Sequence, residues 1–227
     1  MKKFIQTLKN IWSIDELRSK ITITLLLILV YRFGAHVSLP GIDPNKLDLT
    51  SAKKGLLGIF DTFAGGSFTN ASIFALGIMP YISASIFMQL MTILVPQMQK
   101  VQKEGDSGRK KINQWTRYLT AVVTLFQAAA YVAYLKNVSR DALIEAYQPY
   151  FWLSTIIVLT AGTLFVMWLG EKITDKGLGN GTSLIIMIGI LARFPQAVGQ
   201  EWASRTTSHA AGGLLIMLIV LVLKEPL

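Results

Sequence analysis

The chain has 227 residues, 52% of them hydrophobic and only 15% charged, against about 25% charged in ordinary soluble domains, which excludes a water-soluble fold and places it in a membrane. With no cysteine, and with His36 and His209 far apart, a disulfide framework, a thiolate nucleophile and a metal cluster are also excluded. The net charge of +9 lies in segments between apolar runs, which points to anionic lipid headgroups or a membrane-bound partner and away from nucleic acid.

Met1–Lys20 reads either as an amphipathic helix on the membrane surface or as an ordered lead-in to the first span. Phe4, Leu8, Ile11 and Trp12 fall at helical spacing, with Lys2, Lys3 and Lys9 elsewhere around the helix. The segment is charged throughout and lacks the compact apolar core of a cleavable signal. Ile21–Tyr31 begins the first span, which extends to about Val37, and Arg32 near its end can snorkel outward. Leu39-Pro40-Gly41-Ile42-Asp43-Pro44 is a turn-rich exit, because each proline fixes φ and removes a donor.

No charge occurs between Asp61 and Lys100, a run too long for one straight span when about 20 helical residues cross about 30 Å of hydrocarbon. The surplus must fold back into protein or a wet cavity, since irregular backbone facing lipid leaves its N–H and C=O groups unpaired. The expected arrangement is a short half-inserted segment over about Leu56–Phe68, a break at Gly65-Gly66, then a full crossing. Gly77 and Pro80 kink or soften that crossing, Ser83, Ser85 and Gln89 give it a polar side, and Val95-Pro96 closes it. Gly65-Gly66 serves either as a hinge or as a close packing site for helices.

Pro96–Arg117 is the most basic loop, with Lys100, Lys103, Arg109, Lys110, Lys111 and Arg117, and Glu104-Gly105-Asp106-Ser107-Gly108 is its expected tip. Tyr118–Leu135 is a third span, Lys136–Gln148 a polar connection and Tyr150–Gly170 a fourth span containing Gly162. Glu171–Gly181 is a tight charged turn, its Gly177, Gly179 and Gly181 starting the fifth span, Thr182–Phe194, which Asn180 is placed to cap. These glycines resemble a phosphate-cradling loop only superficially: no strand precedes and no Lys-Ser/Thr follows, so neither a nucleotide nor any other cofactor is expected. Pro195–Ser208 is polar, and Ala210–Leu223 is a sixth apolar run. Since the chain stops directly after it, part of a longer protein is expected. Of the 22 Lys and Arg residues, 14 lie on the side holding Met1–Lys20, Pro96–Arg117, Glu171–Gly181 and Lys224, which makes that side cytoplasmic.

Three motifs in order then resemble one family. Phe63-Ala64-Gly65-Gly66 followed by Ala71 through Ile86 is similar to the second-helix signature of SecY-type protein-conducting channels. Met167 through Ser183 is a second match, and Pro40-Gly41-Ile42-Asp43 a third. The resemblance implies an all-α polytopic membrane protein: the N-terminal part of the ten-helix, inverted-repeat SecY fold, with six transmembrane segments and a re-entrant plug. It divides the chain into a cytoplasmic segment 1–20, spans one to five over 21–203 with the plug at about 57–70, and a sixth segment over 204–227.

By resemblance, Ile78, Ile82, Thr182 and Ile186 match the hydrophobic pore ring, where Thr182 departs from the usual aliphatic choice. Phe60, Phe63, Ala64, Gly65, Gly66 and Ser67 fall in the plug, while Ser83, Ile86 and Gln89 lie on one wall of a lateral gate. Lys103, Arg109, Lys110 and Lys111 are the expected cytoplasmic contacts, facing ribosomal RNA, acidic lipid or an acidic motor surface, although a solvated positive-inside role outweighs any single one of these. The implied partners are the small subunits SecE and SecG, the SecA motor or a ribosome, signal sequences and preproteins, and anionic lipid, in the bacterial inner membrane with the N-terminus cytoplasmic.

Facing each other as the resemblance implies, the pairs Ile78–Ile82 and Thr182–Ile186 make a narrow apolar waist. Ile78 and Ile82 are four apart, as are Thr182 and Ile186, so each pair shares a helical face, and an apolar constriction excludes water by dewetting. Isoleucines at this spacing also face lipid or pack in ordinary membrane helices. Asp61, Glu171, Asp175 and Arg32 fall near span ends, which disfavours a proton-coupled pump. No bond chemistry is expected. The rival reading is an inverted-repeat secondary transporter for a small solute, which would show a closed midplane pocket instead of an hourglass with an apolar waist.

Overall fold

The structure, a computed structural model, describes residues 12–43, 46–47, 56–138, 142–143 and 148–207. Most of the expected surface helix at 1–20 and the sixth apolar run, Ala210–Leu223, lie outside the described residues. Those residues form seven helices and no strand; two isolated bridges join Ser38 to Ser72 and Ile42 to Leu143.

Helix α1 (Asp15–Gly34) carries Asp15 and Glu16 in its first turn and Arg32 in its last, each sign matching the helix dipole. Lys20 donates to Glu16 at 2.8 Å, and that bond with its charge holds the Glu16 carboxyl below its ordinary value. The helix stops at Gly34, short of the expected Val37. Beyond it the backbone swings out to meet the 71–73 segment: Leu39 N–H donates to Ala71 O at 2.8 Å and Ile73 N–H to Val37 O at 2.9 Å.

Helix α2 (Leu56–Phe63) is short, and a run of turns from Ala64 to Ile78 separates it from α3 (Met79–Leu94). The crossing was expected to follow soon after Gly65-Gly66, with Gly77 and Pro80 bending it from within. Instead Gly77 lies outside the helix with φ +56°, and Pro80 sits in its first turn, where its missing N–H removes no helical bond. Val95 is extended, as the residue before a proline must be, and α4 (Pro96–Lys103) leaves α3 at 100°.

The basic stretch expected as a loop is largely helical. Only Glu104-Gly105 interrupts it before α5 (Asp106–Val138), whose first four turns carry Arg109, Lys110, Lys111 and Arg117. Gly105 supplies the left-handed turn, with φ +72°. The buried positions of α3, Pro80, Ala84, Met88 and Thr92, repeat every four residues, as do Thr116, Thr120, Thr124 and Ala128 on α5. The small residues on these faces, Ala84 and Thr92 on α3 and the threonines and Ala128 on α5, let the two helices approach closely. Each α5 threonine donates to the carbonyl four residues before it, so no hydroxyl is stranded there.

Helix α6 (Gln148–Lys176) packs against α1, α5 and α7 (Gly181–Thr207). Asn180 caps α7 as expected, its Oδ1 accepting from Ser183 N–H at 3.1 Å. The polar segment expected after Phe194 continues α7 instead, through Pro195. By length and composition, α5 and residues Tyr150–Lys176 can each cross a bilayer, and α3 with α4 forms a third, broken apolar unit.

Candidate functional site

The irregular run from Ala64 to Ile78 is mostly buried within the bundle, whereas α2 before it keeps Ile59, Phe60 and Thr62 exposed. Ala64, Gly66, Ser67, Phe68, Ala71 and Ser72 are buried, while Phe60 is exposed and Phe63 and Gly65 are half-buried. Gly65 and Gly66 both have positive φ (+64° and +91°). A Cβ at Gly65 would lie 2.9 Å from Gly189 Cα, so bareness there is required by packing as well as by backbone conformation; at Gly66 the backbone conformation requires it, a Cβ meeting only the Arg193 side chain, with Nη2 at 3.0 Å. Gly189 returns the approach: its Cβ would stand 2.5 Å from Phe63 O. On the other flank Tyr131 of α5 donates to Phe68 O at 2.7 Å and meets the Phe68 ring edge-on at 4.7 Å.

Sequence reasoning placed Asp61 and Arg32 near span ends, in cheap surroundings. The structure corrects this for Asp61, which is 1% exposed and ion-paired with Arg193. Thr69 joins the two. Its N–H donates to Asp61 Oδ1 at 2.9 Å, its hydroxyl donates to Oδ2 at 3.0 Å, and it accepts from Arg193 Nη2 at 2.9 Å. Arg32 turns toward the same segment, with Nη1 3.4 Å from Gly65 O. These groups border a polar recess of about 430 Å³. Nothing in the sequence pairs Asp61 with Arg193. The available signal was an arginine two positions before a proline in an otherwise apolar run.

Of the four expected ring positions, three share one apolar cluster. Ile78 is buried among Tyr31, Phe74, Val166, Leu169, Ile173 and Ile185, and Ile82 and Ile186 pack half-buried against that cluster. Ile78 caps α3 from just outside it, and Ile82 N–H donates to Ile78 O at 3.1 Å. Gly170 lies beside them, where a Cβ would stand at ordinary contact distance, 3.4 Å from Ile78 Cδ1 and 3.6 Å from Thr182 N. Thr182 stands at the cluster's polar edge, in a recess of about 200 Å³ shared with Tyr81, Asn113, Arg117 and Glu171. Above that recess Arg117 clamps Glu171 in two parallel bonds of 2.9 and 2.8 Å, joining α5 to α6.

The expected gate residues Ser83, Ile86 and Gln89 are all exposed on α3. Ser83 Oγ donates to Met79 O and Gln89 Nε2 reaches Ser85 Oγ at 3.4 Å. Lys103, Arg109, Lys110 and Lys111 are exposed around the α4–α5 turn, where Lys111 pairs with Glu104 at 2.9 Å.

A family model described as SecY matches residues 72–224. The protein translocase subunit SecY of Aquifex aeolicus (strain VF5) is 43% identical over 219 residues, covering 94% of this chain and 51% of that protein. Its counterpart in Pseudomonas aeruginosa is 45% identical over 193 residues, covering 84% of this chain and 43% of the relative. The chain thus spans about half the length of the curated relatives it matches. Among solved structures, one titled "The structure of a protein conducting channel" aligns with a TM-score of 0.53 at 17% identity, covering 76% of this chain and 36% of that one. That likeness shows a shared fold.

Proposed function

Because the chain belongs to the SecY family, we propose that it contributes the central, pore-forming subunit of a Sec protein translocation channel, passing secretory polypeptides across the membrane and membrane proteins into it. The observation that carries this reading is the irregular, mostly buried segment 64–78, which leads directly into α3 so that its last residue, Ile78, meets Ile82 of α3 and Ile186 of α7 in one apolar cluster. Irregular backbone at membrane depth belongs where protein covers it or water fills a cavity, and a branched apolar ring closes a resting pore without binding its substrate. Segment 57–70 acts as the plug, Ile78, Ile82, Thr182 and Ile186 as the ring, and Ser83, Ile86 and Gln89 as part of the lateral gate.

The same reading gives the chain six crossings, with its N-terminus in the cytoplasm of a bacterial cell and the exposed basic residues of the α4–α5 turn facing it. Anionic lipid and a SecA motor or ribosome meet that face, and SecE and SecG complete the channel. No bond chemistry is performed; energy comes from the partners. The test replaces Ile78 and Ile82 together by Ser and measures ion leak across vesicles holding the complete channel complex. The reading requires leak to rise, and an unchanged leak removes the ring from the mechanism.

A further inference from the structure

The pair of fully buried Asp61 and part-buried Arg193 (side chain 24% exposed) is poorly explained as ordinary stabilisation. Desolvating a carboxylate and a guanidinium offsets most of their attraction, and a well-packed apolar pair of similar volume usually serves stability as well or better. What an ion pair adds is a single permitted register, because displacing either member leaves the other charge uncompensated. Here the members come from two separate pieces of the chain. Asp61 is on α2, at the base of the irregular segment, and Arg193 is on α7.

Helix α7 grips that segment twice on one face. Gly189 lies against the Phe63 carbonyl, and Arg193, one turn later, reaches both Asp61 and Thr69. Thr69 sits eight residues beyond Asp61 and takes part in both bonds, so the start and end of the turn are tied to α7 through one cluster. The setting also allows the tie to open. Arg32, His36, Thr62, Thr69, Arg193 and Gln196 line the adjoining polar recess, so charges that part there meet polar groups and water instead of lipid.

We infer that Asp61 and Arg193, bridged by Thr69, form a releasable latch that seats segment 57–70 against α7. They are positioning residues: they act through the segment they hold. The inference rests on the plug reading only for its consequence, because the seating itself is measurable without reference to a pore.

The experiment uses Phe63→Cys as a reporter in a chain that has no other cysteine, in the complete channel complex in sealed vesicles. The rate of modification by a membrane-impermeant thiol reagent reports unseating, and ion leak is recorded in parallel. Asp61→Asn and Arg193→Gln should each raise the labelling rate about tenfold, and the double variant should be no faster than the faster single, because residues in one network are coupled and not additive. Arg193→Lys keeps the charge and should restore most of the protection, which separates latching from general misfolding. Single variants that label at the parent rate, or a double variant whose effect is the product of the singles, overturn the latch. Faster labelling with an unchanged leak upholds the latch and overturns the plug reading, whereas faster labelling with a raised leak supports both.

Discussion

Tyr131→Phe measures how firmly the irregular segment is held by the helix beside it. The hydroxyl is buried and donates to Phe68 O at 2.7 Å. That carbonyl also accepts from Ala71 N–H at 3.2 Å, so losing the hydroxyl does not leave it unpaired. The expected penalty therefore falls at the low end for a buried hydrogen bond, about 1 kcal/mol, and not the roughly 3 kcal/mol of an orphaned group. The ring remains, and with it the edge-on contact with Phe68. Tyr131→Ala removes ring and bond together and opens a void, which costs about 3–5 kcal/mol for a large aromatic. Denaturant unfolding of the purified complex in mild detergent compares the two. The Phe variant should lose about a fifth to a third as much as the Ala variant. Equal losses would refute the reasoning, and so would a Phe variant indistinguishable from the parent.

Gly162→Ala should destabilise the bundle by about 1–3 kcal/mol by the same assay, because its Cβ would stand 2.2 Å from Ile73 O; Gly179→Ala has open space and should lose only the roughly 1 kcal/mol of its left-handed backbone, at φ +63°. Ser67→Ala should be neutral or stabilising, since the Ser67 hydroxyl is buried with no hydrogen-bond partner among the described residues, and a loss above about 1 kcal/mol would reveal a partner. The Arg117–Glu171 clamp is partly exposed, so a double-mutant cycle with Arg117→Gln and Glu171→Gln should give a coupling of about 1 kcal/mol or less that shrinks in high salt. Tethering Phe63→Cys to a neighbouring subunit should leave the resting pore leaky, and a tight tethered pore argues against a segment that swings clear.

The broad architecture was legible because membrane composition, one proline and one cap leave little choice: Val95-Pro96 had to end a helix, and Asn180 had to begin one. The start of α3 was misplaced because Gly65-Gly66 looked like the break, whereas the backbone stays irregular to Ile78, held by contacts with Val37 and Leu39 that no local pattern reveals. The α4–α5 stretch looked like a loop because its charges outweigh its apolar residues. Helicity there needs only one glycine turn between two polar helical segments. The Asp61–Arg193 pair stayed hidden because charge near a span end is ordinary. It becomes unusual only once α7 is known to run past α2, at a crossing set by two facing glycines, Gly65 and Gly189. Gly162 was visible in its span, but its partner, the Ile73 carbonyl, was not.

In the proposed channel, Ile78 and Ile82 surround the path of a moving polypeptide. Single cysteines at 78, 82 and 186, with Phe126→Cys on the exposed face of α5 as the control, should be tested for crosslinking to a preprotein stalled during translocation through the complete complex. The account predicts crosslinks at the three isoleucine positions and none at 126. A stalled chain that misses 78 and 82 while reaching 126 would contradict it.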